Sequence, residues 1–487
     1  MTNHTNASAD TRRPSVFSVT LLLRNTNRSF TPSGMPALLA WACMMCLVSS
    51  ALASEIIVTN LANGGAGSLR AAVASANKTP GRDLIRFGKH LKGTIKLTSG
   101  QIEITDSLTI TGPGASRLTV SGNKASRIFK IATGAVVAIE KLTIADGRNT
   151  IQESVPILVT RGGAILNDGG TLSLSRVTMR NNVTINNGDS LVVGGGAIVN
   201  SGFSTLAATN CQFIDNIAHG GTGYAFGGAI GSVTESVATV ENCSFTGNLA
   251  TSGGTSYGGA IGNFGGSDLT VIDCTFFDNT ARGTDSGEKA FGGAIATRPG
   301  TGHDSGSLTT IESSLLVANL AIGADGGEGQ AGADAGGGAL FNFASTLVTE
   351  SSILFGNEAE GGNGVLGGGS AFGGAIHASG TNLSFGELVE IRCCQFFANM
   401  AVGGSPGREI GGQALGGALH NASPCQMDLR HSAISGNWAL GAQDGQGTGG
   451  GLYTLGTTTA DEQTIRSMVA NKASTSDDNL FGTVTVD

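Results

Sequence analysis

The sequence predicts an all-β protein built as a single-stranded parallel β-helix, a solenoid with three short strands per coil. Three observations carry that prediction. A short glycine motif returns along the chain, a second motif ending in asparagine is interleaved with it, and the residues around both fall into columns that alternate apolar and polar.

Glycine accounts for 78 of 487 residues, which is about twice the usual share, so the fold repeatedly needs a residue without a side chain. Hydrophobic residues make up 40 %, enough for a packed core and too many for a disordered chain. Charged residues are 13 %, about half the usual quarter, which argues against long surface helices, coiled coils and a basic nucleic-acid binder.

The glycine motif reads Gly162-Gly163-Ala164-Ile165 and recurs around Ala197, Ala229, Ala260, Ala294, Ala339, Ala375 and Ala418, with a ninth copy at Gly450-Gly451-Leu452 that lacks the alanine. Successive copies lie 31 to 45 residues apart, a solenoid period. The second motif appears as Cys211-Gln212-Phe213-Ile214-Asp215-Asn216 and again up to Asn248 and Asn279. The asparagine persists at Asn182, Asn319, Asn357, Asn399, Asn437 and Asn471, in copies where, Cys394 apart, another residue replaces the cysteine.

Strand side chains alternate with period two, so columns of equivalent residues show which way each strand faces. Five and three residues before the cysteine position stand Leu206 and Ala208, Leu269 and Val271, Val389 and Ile391, Met427 and Leu429, which point inward. One residue before it come turn formers: Asn210, Asn242, Asp273, Ser313 and Ser351. The cysteine and the phenylalanine two residues later face inward again, and the glycine motif opens a third strand. The glycine pair suits a tight corner, and the nine asparagines suit an amide ladder from rung to rung. Stacked Cys211, Cys243 and Cys274, with Cys393, Cys394 and Cys425, read as structural free thiols, because other repeats carry serine in that column. No spacing of Cys and His suggests a metal centre.

Residues 1–53 read as an export signal, with the apolar run from Met35 ending in Ala51-Leu52-Ala53 and cleavage after Ala53; translation starts at Met1 or Met35. The signal places the mature chain outside the cell or on the outer cell surface. Its removal takes away four Arg and one Asp, moving the net charge from −8 to −11. No later stretch approaches a membrane-spanning length, so no transmembrane helix is expected in the mature chain. Residues 54–160 form a cap and irregular first coils, with a short helix at Ser68–Asn77 covering the open end of the solenoid. Residues 161–475 form the regular coils and 476–487 a C-terminal cap or tail.

Outward columns carry the candidate sites. Glu312, Glu350, Glu390, Arg392, Asp428 and Arg430 gather on consecutive rungs, either as ion pairs on a solvated face or as the acid–base machinery of a polysaccharide lyase or hydrolase. An apolar column, with Phe277, Phe355 and Phe397 among its members, is read as covered by the glycine-rich insertions near 320–336, 358–372 and 400–415, or as a partner groove. Phe341, His377, His420 and Tyr453 follow the glycine motif and are expected outward, where they stack on sugar rings. The acidic insert with Asp325, Glu328 and Asp334 raises calcium, without the regular spacing of a calcium-binding β-roll.

The alternation of GGA[ILV] with FxxN, as in Phe213 to Asn216, Phe245 to Asn248, Phe276 to Asn279 and Phe396 to Asn399, resembles the repeats of chlamydial polymorphic outer membrane proteins. The opening Val58-Thr-Asn-Leu61, Gly67-Ser-Leu-Arg-Ala-Ala72 and Ile104 to Gly114 is similar to secreted bacterial β-helix proteins. The resemblance implies a right-handed, pectate-lyase-like parallel β-helix and an adhesin-type role at the cell surface. Unlike those relatives, the array runs almost to Asp487, leaving no segment that reads as a membrane barrel. The expected function is a non-catalytic scaffold that binds an extracellular glycan or a cell-surface protein, with no nucleic-acid partner. The enzymatic alternative would use Glu350, Glu390 and Asp428 with Arg392 and Arg430.

Overall fold

The computed structural model describes residues 54–151, 162–187, 192–300, 306–381 and 387–487. The export signal expected over residues 1–53 lies outside the described residues. The described chain is nearly all strand and corner, arranged in five parallel sheets, here lettered A to E, of 14, 11, 12, 10 and 8 strands. Neighbours within a sheet are equivalent strands of successive repeats: Thr205–Thr209 pairs with Val237–Glu241, and that strand with Asp268–Ile272. Repetition of one register through long parallel sheets is the arrangement of a β-solenoid.

A regular coil has five strands, not the three read from the sequence. One coil runs through Ile198–Ser201 in sheet C, Thr205–Thr209 in A, Gln212–Ile214 in B, Ile217–His219 in D and Tyr224–Phe226 in E. Sheets D and E arise from the glycine-rich stretches read as loops. Their facing side chains are mostly alanine: Ala359, Ala371, Ala401, Ala414 and Ala439 form a thin second core. Methyl groups bury little area each, so no apolar column announces these strands, yet small side chains are what let two sheets close together.

Sheets A, B and C enclose the main core. Within it Phe213, Phe245 and Phe276 stack on consecutive rungs with ring centroids 4.6 Å apart. The corner from A to B is a single residue at positive φ, as at Asn210 (56°), Asn242 (50°) and Asp273 (51°). At the E-to-C corner Gly195 has φ 61°, and a side chain there would meet the carbonyl of Ile198. Leu419 pairs with Leu452, so the ninth glycine pair is Gly449-Gly450, and Gly451 takes the alanine place.

Between sheets B and D the asparagine ladder is continuous. Each Nδ2 from Asn182 to Asn437 donates to the next Oδ1 at 2.9 Å, through Asn216, Asn248, Asn279, Asn319, Asn357, Asn399 and on to Asn471. The second proton of each amide goes to a carbonyl of the preceding coil, as Asn319 to Phe276 at 3.1 Å. Each Oδ1 also accepts a backbone N–H, as from Asn279 to Asn319 at 3.2 Å. Every polar atom of these fully buried side chains is satisfied, which a buried amide requires.

The cysteine column does related work. The N–H of Cys211 donates to Cys243 Sγ, Cys243 to Cys274 Sγ, Cys274 to Ser314 Oγ and Ser314 to Ser352 Oγ. Sulfur and hydroxyl oxygen exchange there because both accept the same backbone proton. The six cysteines among the described residues are free thiols; Cys393 alone among them is exposed, while burial pushes Cys394 and Cys425 up to about 12.

At the N-terminal end, helix α1 (Leu69–Ala76) is capped by the Ser68 hydroxyl and buries Leu69, Ala72, Val73 and Ala76 against the first coils. At the other end, helix α2 (Glu462–Ser467), capped by Asp461, packs on Gln426–Arg430 and Ala433–Ser435. It was not legible in the sequence as a helix. The tail is a partial coil, with Leu480–Phe481 joining sheet C and Val484–Val486 joining sheet A.

Replacing Asn319 by Ala strands the side-chain amide and the backbone N–H of Asn279, which both donate to it, and the carbonyl of Phe276, so it costs ~3 kcal/mol or more in urea unfolding, well beyond the cost of the same change at Asn479, the exposed residue on which the ladder ends. Equal small losses at both sites would show that the ladder is incidental. With a thiol reagent near pH 8, only Cys393 reacts in the folded protein, and the other five react on unfolding.

Candidate functional site

The chemistry of each outer face of the coil is set by side-chain parity along its strands. On sheet A, Glu312, Glu350, Arg392 and Arg430 stand in one register column and Glu390 and Asp428 in another. Arg392 reaches Glu390 at 2.8 Å and Arg430 reaches Asp428 at 2.7 Å, each two residues back on its own strand. Arg430 also pairs with Asp487, and the Thr459 hydroxyl donates to Asp428 at 2.7 Å. Both Asp487 and Asp461 lie below the usual carboxylate range, Asp487 chiefly through its bond to Arg430 and Asp461 through N–H groups of Thr464 and His431 that outweigh its desolvation. Arg392 and Arg430 are thus paired with Glu390 and Asp428 along their own strands, Arg430 also reaches the C-terminal Asp487, and Glu312 and Glu350 take part in no ion pair among the described residues.

The aromatic column on sheet C is not outward to solvent. Phe341, His377 and His420 are buried and Tyr453 is half-buried, because sheet E folds back over this face. Phe291 stacks on Phe341 at 4.6 Å, Phe372 lies 5.4 Å from His377, and Tyr453 stacks on Phe481 at 4.6 Å. Arg298 closes one end of the stack with its guanidinium 4.8 Å over the Tyr257 ring. The sugar-stacking expectation fails for these residues: the strands that hide them come from segments read as loops.

His377 and His420 touch through their Nδ1 atoms at 2.9 Å, one donating and one accepting. Burial pushes His420 down to about 3 and His377 well below its ordinary range, the latter further lowered by His420 and Lys289. Among the described residues no group of three or more His, Cys, Asp or Glu could hold a metal. Asp334 is taken by Lys289 at 2.7 Å and by the N–H of Ser370, and Asp325 accepts from the N–H of Asn363 at 2.8 Å, so two of the three carboxylates of the calcium insert, all but Glu328, tie it to neighbouring segments.

Sheet B is the open face. Phe277, Phe355 and Phe397 are 46 %, 42 % and 51 % exposed, and the neighbouring column adds Leu315 and Ile353. The register runs Phe277, Val317, Phe355, Phe397 on successive rungs, so the ribbon is continuous over about 14 Å at the usual rung spacing. The insertions expected to cover it form sheets D and E instead. Phe355 and Phe397 lie 11° from parallel with centroids 5.7 Å apart, so they face each other and present their edges outward. Toward the N-terminus the same face turns polar, with a shallow depression of about 480 Å³ lined by Ser116, Thr119, Thr143, Thr178, Arg180 and Gln212.

No family model matches the chain, and no curated protein does. Among solved structures it is similar to ORF18 of Geobacillus virus E2, at 12 % identity and a TM-score of 0.32, over 70 % of this chain and 57 % of that one.

Because both histidines hold their protons less tightly folded than unfolded, the unfolded state gains protons first as pH falls. Stability is full above about pH 6.5 and drops below it by about 1.4 kcal/mol per pH unit for each histidine, until the folded side chains protonate in turn. Urea titrations at pH 7, 5 and 4 check this. The double replacement His377→Phe and His420→Phe, which copies Phe341 from the same column, flattens the slope; an unchanged slope contradicts it.

Proposed function

We propose that this chain is an exported, surface-exposed, right-handed parallel β-helix scaffold of adhesin type, and that the outer face of sheet B is its contact surface. The observation that carries the reading is the exposed ribbon of Phe277, Leu315, Ile353, Phe355 and Phe397 on a face that no other segment covers among the described residues. The right hand is supported by general strand physics, since parallel strands of one sheet joined by a crossover are right-handed in about 98 % of cases. Export rests on the signal read in residues 1–53. The absorption of Glu390, Asp428, Arg392 and Arg430 into ion pairs supports a scaffold over a catalyst.

Ring edges and branched aliphatic tips suit insertion between the side chains of a protein better than flat stacking on sugars, which needs exposed ring faces. The partner is therefore a protein with an apolar recess. Phe277→Ser, Phe355→Ser and Phe397→Ser together, which copy Ser435 from the same column, abolish adhesion of the purified chain to cells while leaving the melting temperature within a few degrees. Protease treatment of the cells gives the same loss. Adhesion that survives the triple change, or that disappears only when glycans are removed, contradicts the proposal.

A further inference from the structure

Charge is divided unequally along the solenoid. Residues 54–180 carry 16 Lys and Arg against 8 Asp and Glu, a balance of +8, whereas residues 181–487 carry 8 against 27, a balance of −19. The net acidity of the chain conceals a basic end.

The register concentrates part of that excess on sheet B. Thr94, Thr119, Thr143, Thr178 and Gln212 form one outward column on consecutive rungs. Two residues before each of the four threonines stand Lys92, Arg117, Lys141 and Arg176, at the A-to-B corner. Two residues after the first and the fourth stand Lys96 and Arg180, in a column shared with Ser121 and Ala145. A row of hydroxyls thus runs beside one basic rail, Lys92, Arg117, Lys141 and Arg176, carried by strands about 4.8 Å apart, with Lys96 and Arg180 flanking its two ends on the other side. The depression described above lies in this row, roofed by the segment at Ala115 and Ser116, whose Ala115 carbonyl accepts from the Thr143 hydroxyl at 2.8 Å.

None of the six cations takes part in an ion pair among the described residues, in contrast to Arg392, Arg430 and Arg466 of the acidic body. Lys92, Lys96, Arg117, Arg176 and Arg180 are exposed and Lys141 is half-buried. The carboxylates beside them are few: Glu140, which precedes Lys141 on sheet A, and Asp146, which accepts from Ser121 at 3.3 Å.

We propose that this N-terminal stretch of sheet B is a binding site for an acidic polysaccharide, with the six cations taking carboxylate or sulfate groups and Thr94, Thr119, Thr178 and Gln212, the members of the column that are not buried, taking sugar hydroxyls. The proposal is independent of the apolar ribbon further along the face. A single-stranded nucleic acid suits the site less well, because base stacking needs exposed rings. The only aromatic residue between Lys92 and Arg180 is Phe129, which is buried.

The test measures affinity of the full chain for heparin, alginate, neutral dextran and a single-stranded oligonucleotide at two salt concentrations. Heparin or alginate binds, with affinity falling as salt rises, and dextran does not; the preferred one of the pair tells sulfate from carboxylate. Lys141→Asn, Arg176→Asn and Arg180→Thr together weaken that binding at least tenfold. These replacements copy Asn210, Asn242 and Thr246, which already occupy the same columns, so the fold tolerates them. Glu312→Gln with Glu350→Gln on sheet A leaves binding unchanged. Binding that survives the triple replacement, equal binding of dextran, or an oligonucleotide that outcompetes both acidic polysaccharides overturns the proposal.

Discussion

The hydrogen bond from one asparagine amide to the next sets the register on which everything else depends. Asn248 and Asn279 are separated by 31 residues, Asn279 and Asn319 by 40, and both bonds are 2.9 Å long. The length of the intervening chain therefore varies without disturbing the rung. A buried amide has two donors and an acceptor to satisfy, and only the equivalent position of the neighbouring coil satisfies them all. A slip by one residue would turn every flanking side chain to the other face, so the ladder protects the core column and the outer columns together.

That register explains what was legible in the sequence and what was not. The columns of Leu206, Ala208, Phe213 and Asn216 announced sheets A and B because a buried leucine or phenylalanine leaves a strong periodic mark. Sheets D and E left none: Ala401 and Ala414 bury one methyl group each, and the surrounding glycines resemble those of any loop. Missing those sheets misplaced the aromatic column, since parity along sheet C correctly turned Phe341 and His377 away from the main core but could not show that sheet E lies over them. The same gap suggested a cover for Phe355 and Phe397 that went elsewhere. Among the charged residues, Arg392 and Arg430 pair along their own strands, and Arg430 reaches Asp487 as well.

Each face of the solenoid ends with a different degree of commitment. Sheet C is sealed by sheet E, and the Asp and Arg side chains of sheet A hold one another. Sheet B retains unspent chemistry, in a basic, hydroxyl-lined stretch at one end and an apolar ribbon toward the other. The change from one to the other takes place between Gln212 and Leu315 in one column and between Arg180 and Phe277 in the next. A rigid ladder suits such a surface, because ligand groups meet side chains whose spacing is fixed before binding.

Cross-linking tests the shared register most directly. In a Cys393→Ser background, cysteines replacing Phe355 and Phe397 stand on adjacent rungs about 4.8 Å apart, within disulfide range, while cysteines replacing Phe355 and Ser435 stand two rungs apart at about 10 Å, beyond it. The account predicts that the first pair closes to an intramolecular disulfide under mild oxidation and the second does not. An open first pair, or closure of the second at the same rate, would contradict it.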